Sequence, residues 1–286
     1  MKSFADFLVE EEFILHCGAT GTELMKRGGD TPGAISNLTH PELVAAIQSE
    51  YAALGAKIIL SNTFSMNEIY VQSHVKGYDW RDINVKGVEI ARQAAAGRGY
   101  VLGNMGPTGE LMQPSGTLTP ARARSAFREQ ASILAAAGVD GFSVQTFYDL
   151  YEAKAAVEGI RDVSDLPILV SLVLENHGAT FMGHTLEMAY AELMPLGINA
   201  LGHNCGSIDF QTLGDIMAPL VAKFSLPLSA CPNAGLPRTQ NGIPCYDMTP
   251  AEFAQGIAYL KEKGVKILGG CCGADPHHIE AVAQLF

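Results

Sequence analysis

The feature that most restricts the fold of this chain is an alternation repeated along its whole length. A short apolar or β-branched run is followed by a longer amphipathic run rich in alanine. The short runs read as buried strands and the long ones as helices. Strands are expected at 13–17, 57–61, 100–103, 140–144, 167–171, 198–202, 227–230 and 265–268, and helices at 41–54, 83–96, 120–137, 150–163 and 250–263. Thr119-Pro120 and Thr249-Pro250 supply cap-plus-proline starts, and Gly55, Gly138 and Gly264 supply stops. Eight strand–helix pairs joined by short links make parallel strands with right-handed crossovers. Eight is also the number that closes a (β/α)8 TIM barrel. An open doubly wound sheet is the alternative. With no linker or low-complexity segment, residues 1–286 read as a single domain.

Composition narrows the partners. The formal net charge is −11, from 19 basic and 30 acidic residues, which argues against a nucleic-acid surface. No apolar run reaches membrane-spanning length. The acidic stretch from Met1 to Glu12 lacks the basic and apolar regions of a secretory signal. A cytoplasmic location is therefore expected. The six cysteines are too few for a disulfide scaffold at this length and point to metal or catalysis.

In a barrel of this kind the chemistry gathers at the C-terminal ends of the strands. The last strand runs into Gly269-Gly270-Cys271-Cys272-Gly273, and the sixth into His203-Asn204-Cys205. Adjacent cysteines are poorly placed to bond each other, but a glycine loop can turn both sulfurs to one point. With Cys205 they would form a three-thiolate zinc site with one position open, the catalytic arrangement. Other readings stand beside it. Three inert core cysteines would not need flanking glycines. Cys17 or Cys231 as a fourth thiolate would close the site and make it structural. His16 and His203 read as packed, hydrogen-bonded residues ahead of metal ligands. Gly18-Ala19-Thr20-Gly21 is a weak phosphate-cradle signal. Cys245, in the loop from Asn241, reads as incidental.

Together, Gly269-Gly270-Cys271-Cys272-Gly273, Asn204-Cys205 and Gly18-Ala19-Thr20-Gly21-Thr22-Glu23-Leu24 resemble the homocysteine S-methyltransferases. They are most like the homocysteine-binding module of cobalamin-dependent methionine synthase. Asn62-Thr63-Phe64, Gly106-Pro107-Thr108-Gly109, Thr146-Phe147-Tyr148-Asp149 and Pro232-Asn233-Ala234-Gly235 support the likeness. The resemblance implies a zinc-bearing barrel with Cys205, Cys271 and Cys272 as ligands. It implies a small thiol substrate activated as a thiolate, and substrate contacts from Cys17, Gly18, Ala19, Asn104, Gln145, Thr146 and Asn233. The methyl donor it implies is methylcobalamin on a separate corrinoid protein docking at the strand-end face, or a sulfonium or betaine for which Tyr70 and Tyr148 could offer aromatic faces.

Three positions depart from the family in one direction. Cys17, Asn104 and Gln145 stand where it usually carries carboxylates that hold the ammonium of homocysteine. An amide can accept a hydrogen bond from an ammonium group without neutralising it, and an unpaired buried charge is expensive. The expected acceptor is therefore a thiol without that charge. The competing expectation is a zinc- or thiol-binding barrel without turnover.

Overall fold

A computed structural model describes residues 2–240 and 243–286. Asn241 and Gly242, from the loop read as leading to Cys245, lie outside the described residues. Eight parallel strands form the central sheet: β1 (Ile14–Leu15), β2 (Ile58–Leu60), β3 (Tyr100–Met105), β4 (Gly141–Phe147), β5 (Ile168–Leu172), β6 (Ala200–Cys205), β7 (Leu228–Pro232) and, last in the chain, β10 (Ile267–Leu268). Between the last two, β8 (Arg238–Gln240) and β9 (Ile243–Cys245) make an antiparallel hairpin outside the barrel, where a loop was expected.

The hydrogen-bonded order is β1-β10-β7-β6-β5-β4-β3-β2. The ring then closes between β1 and β2. His16 bridges Ile58 in parallel, Lys57 N–H donates to the Leu15 carbonyl at 2.8 Å, and Cys17 N–H donates to the Ile58 carbonyl at 3.0 Å. An open sheet would leave two edges here, so the doubly wound alternative is excluded and the fold is a (β/α)8 barrel.

Helices fill the connections: α1 (Phe4–Glu10), α2 (Thr20–Lys26), α3 (Ser36–Thr39), α4 (Pro41–Ala53), α5 (Glu68–His74), α6 (Trp80–Ala95), α7 (Pro120–Ala136), α8 (Leu150–Arg161), α9 (Leu186–Leu193), α10 (Phe210–Lys223), α11 (Pro250–Glu262) and α12 (Pro276–Ala283). The expected starts at Pro120 and Pro250 hold because Thr119 and Thr249 cap them through their side chains. Helix α6 begins three residues earlier than expected, because Asp79 accepts from Arg81 N–H and caps it. Gly138 and Gly264 end α7 and α11 at φ +91° and +87°, a backbone conformation that costs glycine least.

Five strands run beyond their expected ends: β3 to Met105, β4 to Phe147, β5 to Leu172, β6 to Cys205 and β7 to Pro232. Asn104, Gln145, Thr146 and Cys205 therefore sit on the barrel wall, held by neighbouring strands rather than carried on loops. The apolar residues of strands and helices pack as one continuous core that includes Phe127, Phe142, Phe147 and Phe253, all fully buried. At the opposite end, the Phe4 and Phe7 rings of α1 lie 5.0 and 4.8 Å from Tyr100 at the start of β3.

Candidate active site

The glycines ahead of the cysteine pair are demanded by packing. A β-carbon on Gly269 would meet the Cβ of His16 at 2.7 Å, and one on Gly270 would collide with Ala274. The loop that follows is pinned on several sides. Cys271 N–H donates to the Pro232 carbonyl at 2.8 Å, and the Cys272 carbonyl accepts from Ala234 N–H at 3.0 Å. Gly273 N–H donates to Thr22 Oγ1 at 3.2 Å.

Cys205 meets this loop from the end of β6. Its backbone is left-handed, with φ +64°, and Gly206 follows at φ +70°. A side chain makes the first of these costly, and such strain gathers at functional sites. Thr146, across the barrel wall on β4, is also left-handed at φ +66°, where the β4–β5 register shifts between Val144 and Phe147. One amide ties these features together. Asn204 Oδ1 accepts from Thr146 N–H at 2.8 Å. Its Nδ2 donates to Thr146 Oγ1 at 2.8 Å and to Cys271 Sγ at 3.6 Å.

The result is a cluster of three sulfurs, Cys205, Cys271 and Cys272, all within 4.8 Å of one another. Cys205 Sγ and Cys272 Sγ are 3.7 Å apart. Tetrahedral zinc with Zn–S bonds of about 2.3 Å separates its sulfurs by about 3.8 Å, so the donor set and spacing fit that ion. The thiols titrate as a set. Hydrogen bonds from Cys205, then Cys271, pull Cys272 down to about 3, with Tyr246 adding to them. Cys271 is held well above its ordinary value, first by its hydrogen bond with Cys205 and then by that with Cys272. Without a cation the cluster thus keeps protons that a metal would displace.

Among the described residues no further His, Cys, Asp or Glu joins the cluster. Cys17 is buried in the hydrophobic core, and Cys231 lines the neighbouring cavity without reaching the sulfurs. A closed site using either as a fourth thiolate therefore finds no support. The histidines are packed, as expected. His16 Nδ1 donates to the Cys17 carbonyl at 3.0 Å, and His203 Nδ1 accepts from Leu174 N–H at 3.1 Å. Burial pushes both rings down to about 4.

A cavity of about 290 Å³ adjoins the cysteines. Gly18, Ala19, Asn104, Gln145 and Thr146 line it, together with all three cluster cysteines. Two expected substrate positions do not. Cys17 belongs to the core, and Asn233 turns its Nδ2 to the Gly206 carbonyl at 2.7 Å. Gly18 owes its identity to close packing, since a β-carbon there would meet Ile279 Cγ1 at 2.9 Å and Tyr51 Cε1 at 2.8 Å. That accounts for the glycine without a phosphate. Asn104 is fixed through its backbone, its N–H donating to Ser61 Oγ at 3.0 Å and its carbonyl accepting from Thr63 Oγ1 at 2.9 Å. Its side-chain Oδ1 is buried without a partner. Among the described residues no Asp, Glu, Lys or Arg lines the cavity.

Several contributors carried no role in the sequence reading. Asn204 was visible only as half of an Asn-Cys pair. Tyr246 follows the unexpected hairpin and covers Gly273, where a β-carbon would meet its ring. His16 and Phe64 also line the cavity, as does Tyr70, which the sequence reading offered as an aromatic face for a cationic donor.

Comparison with known proteins agrees with this geometry. The family model for homocysteine S-methyltransferase matches residues 14–286. Methionine synthase of Mycobacterium tuberculosis (strain ATCC 25618 / H37Rv) is 32% identical over 96% of this chain and 25% of its own length. Methionine synthase of Mycobacterium leprae (strain TN) is 32% identical over 93% of this chain and 24% of its own. The chain thus spans about a quarter of these relatives. Among solved structures, the metallated form of the homocysteine methyltransferase MmuM from Escherichia coli superposes with a TM-score of 0.82 at 22% identity, covering 98% of this chain and 99% of that one. Its oxidised form gives 0.81 at 23%, covering 98% of each. The barrel, the three-sulfur cluster beside a cavity and these matches lead to one conclusion: the chain belongs to the homocysteine S-methyltransferase family.

Proposed function

We propose that residues 1–286 work as one barrel domain, a zinc-dependent S-methyltransferase that prepares a small thiol to accept a methyl group. Cys205, Cys271 and Cys272 would hold the metal. When bound, zinc would supply a redox-inert Lewis acid that keeps a fourth, incoming sulfur deprotonated near neutral pH. The chain's own part is to fix the three sulfurs through the Gly269–Gly270 loop and the Asn204–Thr146 clamp. The observation that carries the reading is three convergent thiols, with no fourth His, Cys, Asp or Glu beside them among the described residues, next to a cavity of ligand size.

The acceptor we favour is a thiol without an α-ammonium group. The cavity offers that charge no carboxylate, and the negative charge of the thiolates would largely be spent on the metal dication. A buried ammonium left unpaired costs several kcal/mol, on the order of the whole affinity of a small ligand. The donor we favour is a methyl-corrinoid carried on a separate protein; a sulfonium or betaine is the other route. The named activity of the matched relatives, methionine synthase, supports the first. So do the exposed apolar side chains Leu111, Phe181 and Leu236 on segments that follow β3, β5 and β7, which suit a docking partner at the strand-end face. Among the described residues no helix is long and apolar enough to cross a membrane, and a reducing cytoplasm would keep the thiols available to metal.

Cobalt substitution tests the open site. Added thiol is expected to change the cobalt spectrum; an unchanged spectrum would indicate a closed, structural site. Methyl transfer assayed in parallel from methylcobalamin and from S-methylmethionine separates the donors. No turnover with any methyl-corrinoid would remove the favoured one, and none with either would leave a thiol-binding barrel without turnover.

A further inference from the structure

We infer that the acceptor thiol carries an uncharged hydrogen-bond donor, of the hydroxyl class, and that Nε2 of His16 reads it. This rests on the proposed thiol-activating role of the site and adds the chemistry of the substrate's other end.

His16 lies at the end of β1, is only 5% exposed and lines the cavity beside the cysteines. Its Nδ1 is 3.0 Å from the Cys17 carbonyl. A carbonyl only accepts, so Nδ1 carries the proton and Nε2 is left as a bare acceptor. Burial keeps the ring neutral at physiological pH. Asn104 adds an unmet group to the same cavity, its Oδ1 buried and without a partner. Polar groups buried without partners carry a desolvation cost that a matching ligand removes.

The lining sets the sign and type of that ligand. With no Asp, Glu, Lys or Arg on the cavity wall, a charged tail would sit unpaired. An alkyl tail would leave Nε2 and the Asn104 amide unmet. A hydroxyl is neutral, donates to Nε2 and accepts or donates at an amide. Sites built to hydrogen-bond a substrate group reject analogues that lack it far more strongly than apolar pockets reject a missing methylene.

The test is isothermal titration of the zinc-loaded protein with ω-hydroxyalkyl thiols of two to four carbons, the corresponding alkyl thiols and the corresponding aminoalkyl thiols. One hydroxy thiol is expected to bind about tenfold or more tighter than both of its analogues. His16→Leu is expected to erase the hydroxyl-over-alkyl preference, and His16→Gln, which keeps an acceptor, to retain part of it, with zinc content unchanged in both. Equal binding of hydroxyl and alkyl thiols would overturn the inference while leaving thiol activation intact, as would a preference that survives in His16→Leu. Tightest binding by the aminoalkyl series would also overturn it. Absence of zinc-dependent binding by any thiol would instead overturn the proposed function on which it rests.

Discussion

At Cys205 the backbone pays for chemistry. A left-handed φ of +64° on a residue with a side chain persists only where neighbours over-determine it. Here the Asn204 amide, tied to Thr146 and Cys271, supplies that constraint. Cys205→Ser should keep the fold and lose the metal, because a hydroxyl stays protonated where a thiol ionises. Zinc measured per chain after dialysis should fall from one to near zero; full retention would show that Cys205 is not a ligand. The cysteine trio was legible in the sequence because adjacent cysteines between glycines have few structural uses. Asn104 and Gln145 were legible as amides in place of acids, and both line the cavity. Asn204, Tyr246 and His16 were not, since each acts through a partner distant in sequence: Thr146, Cys272 and a ligand-sized space. Cys17 looked equivalent to Asn104 in sequence but packs into the core.

Elements were legible where local chemistry punctuates them. Thr249 and Glu252 form a reciprocal capping box at the start of α11, Thr249 N–H donating to Glu252 Oε2 at 2.8 Å and Glu252 N–H to Thr249 Oγ1 at 3.3 Å. Thr249→Ala should cost about 1 kcal/mol, read in thermal denaturation as a drop of roughly 2–4 °C; no change would mean the cap is redundant. The true lengths of β3, β4 and β6 were hidden, because polar residues break the apolar runs before the strands end: Asn104 in β3, Gln145 and Thr146 in β4, His203 and Asn204 in β6. The β8–β9 hairpin was hidden too, since three-residue strands carry almost no pattern. At α12, burial lowers His278 most, but its hydrogen bond to Asp275 at 2.7 Å, a second to the Met248 carbonyl at 2.9 Å and the charge of Asp275 together outweigh this, and the net shift is upward. A raised folded pKa stabilises fully below the unfolded value of about 6.5 and is lost as pH climbs through the folded one. The melting-temperature gap between wild type and His278→Gln should therefore be larger at pH 6 than at pH 9. A gap that is constant or grows with pH would contradict this ion pair.

For the whole molecule, the count of eight strand–helix units was enough to anticipate the barrel, because β1 and β2 must meet once six strands lie between them. Closure brings β1, β6 and β10 to one rim, which is why residues as far apart as His16, Cys205 and Cys272 share a cavity. What one-dimensional reading could not weigh is the summed charge of that cavity, a property of every wall at once. The chain is acidic overall, at −11, yet the cavity wall holds no carboxylate. This neutrality separates thiol activation in general from homocysteine in particular. The most direct test is isothermal titration of the protein, zinc-loaded and zinc-free, with 3-mercaptopropan-1-ol and with homocysteine. The expected result is zinc-dependent binding of the neutral thiol, at least tenfold tighter than that of homocysteine, and no binding by either to the zinc-free protein. Homocysteine binding as tight as, or tighter than, that of the neutral thiol would contradict the account.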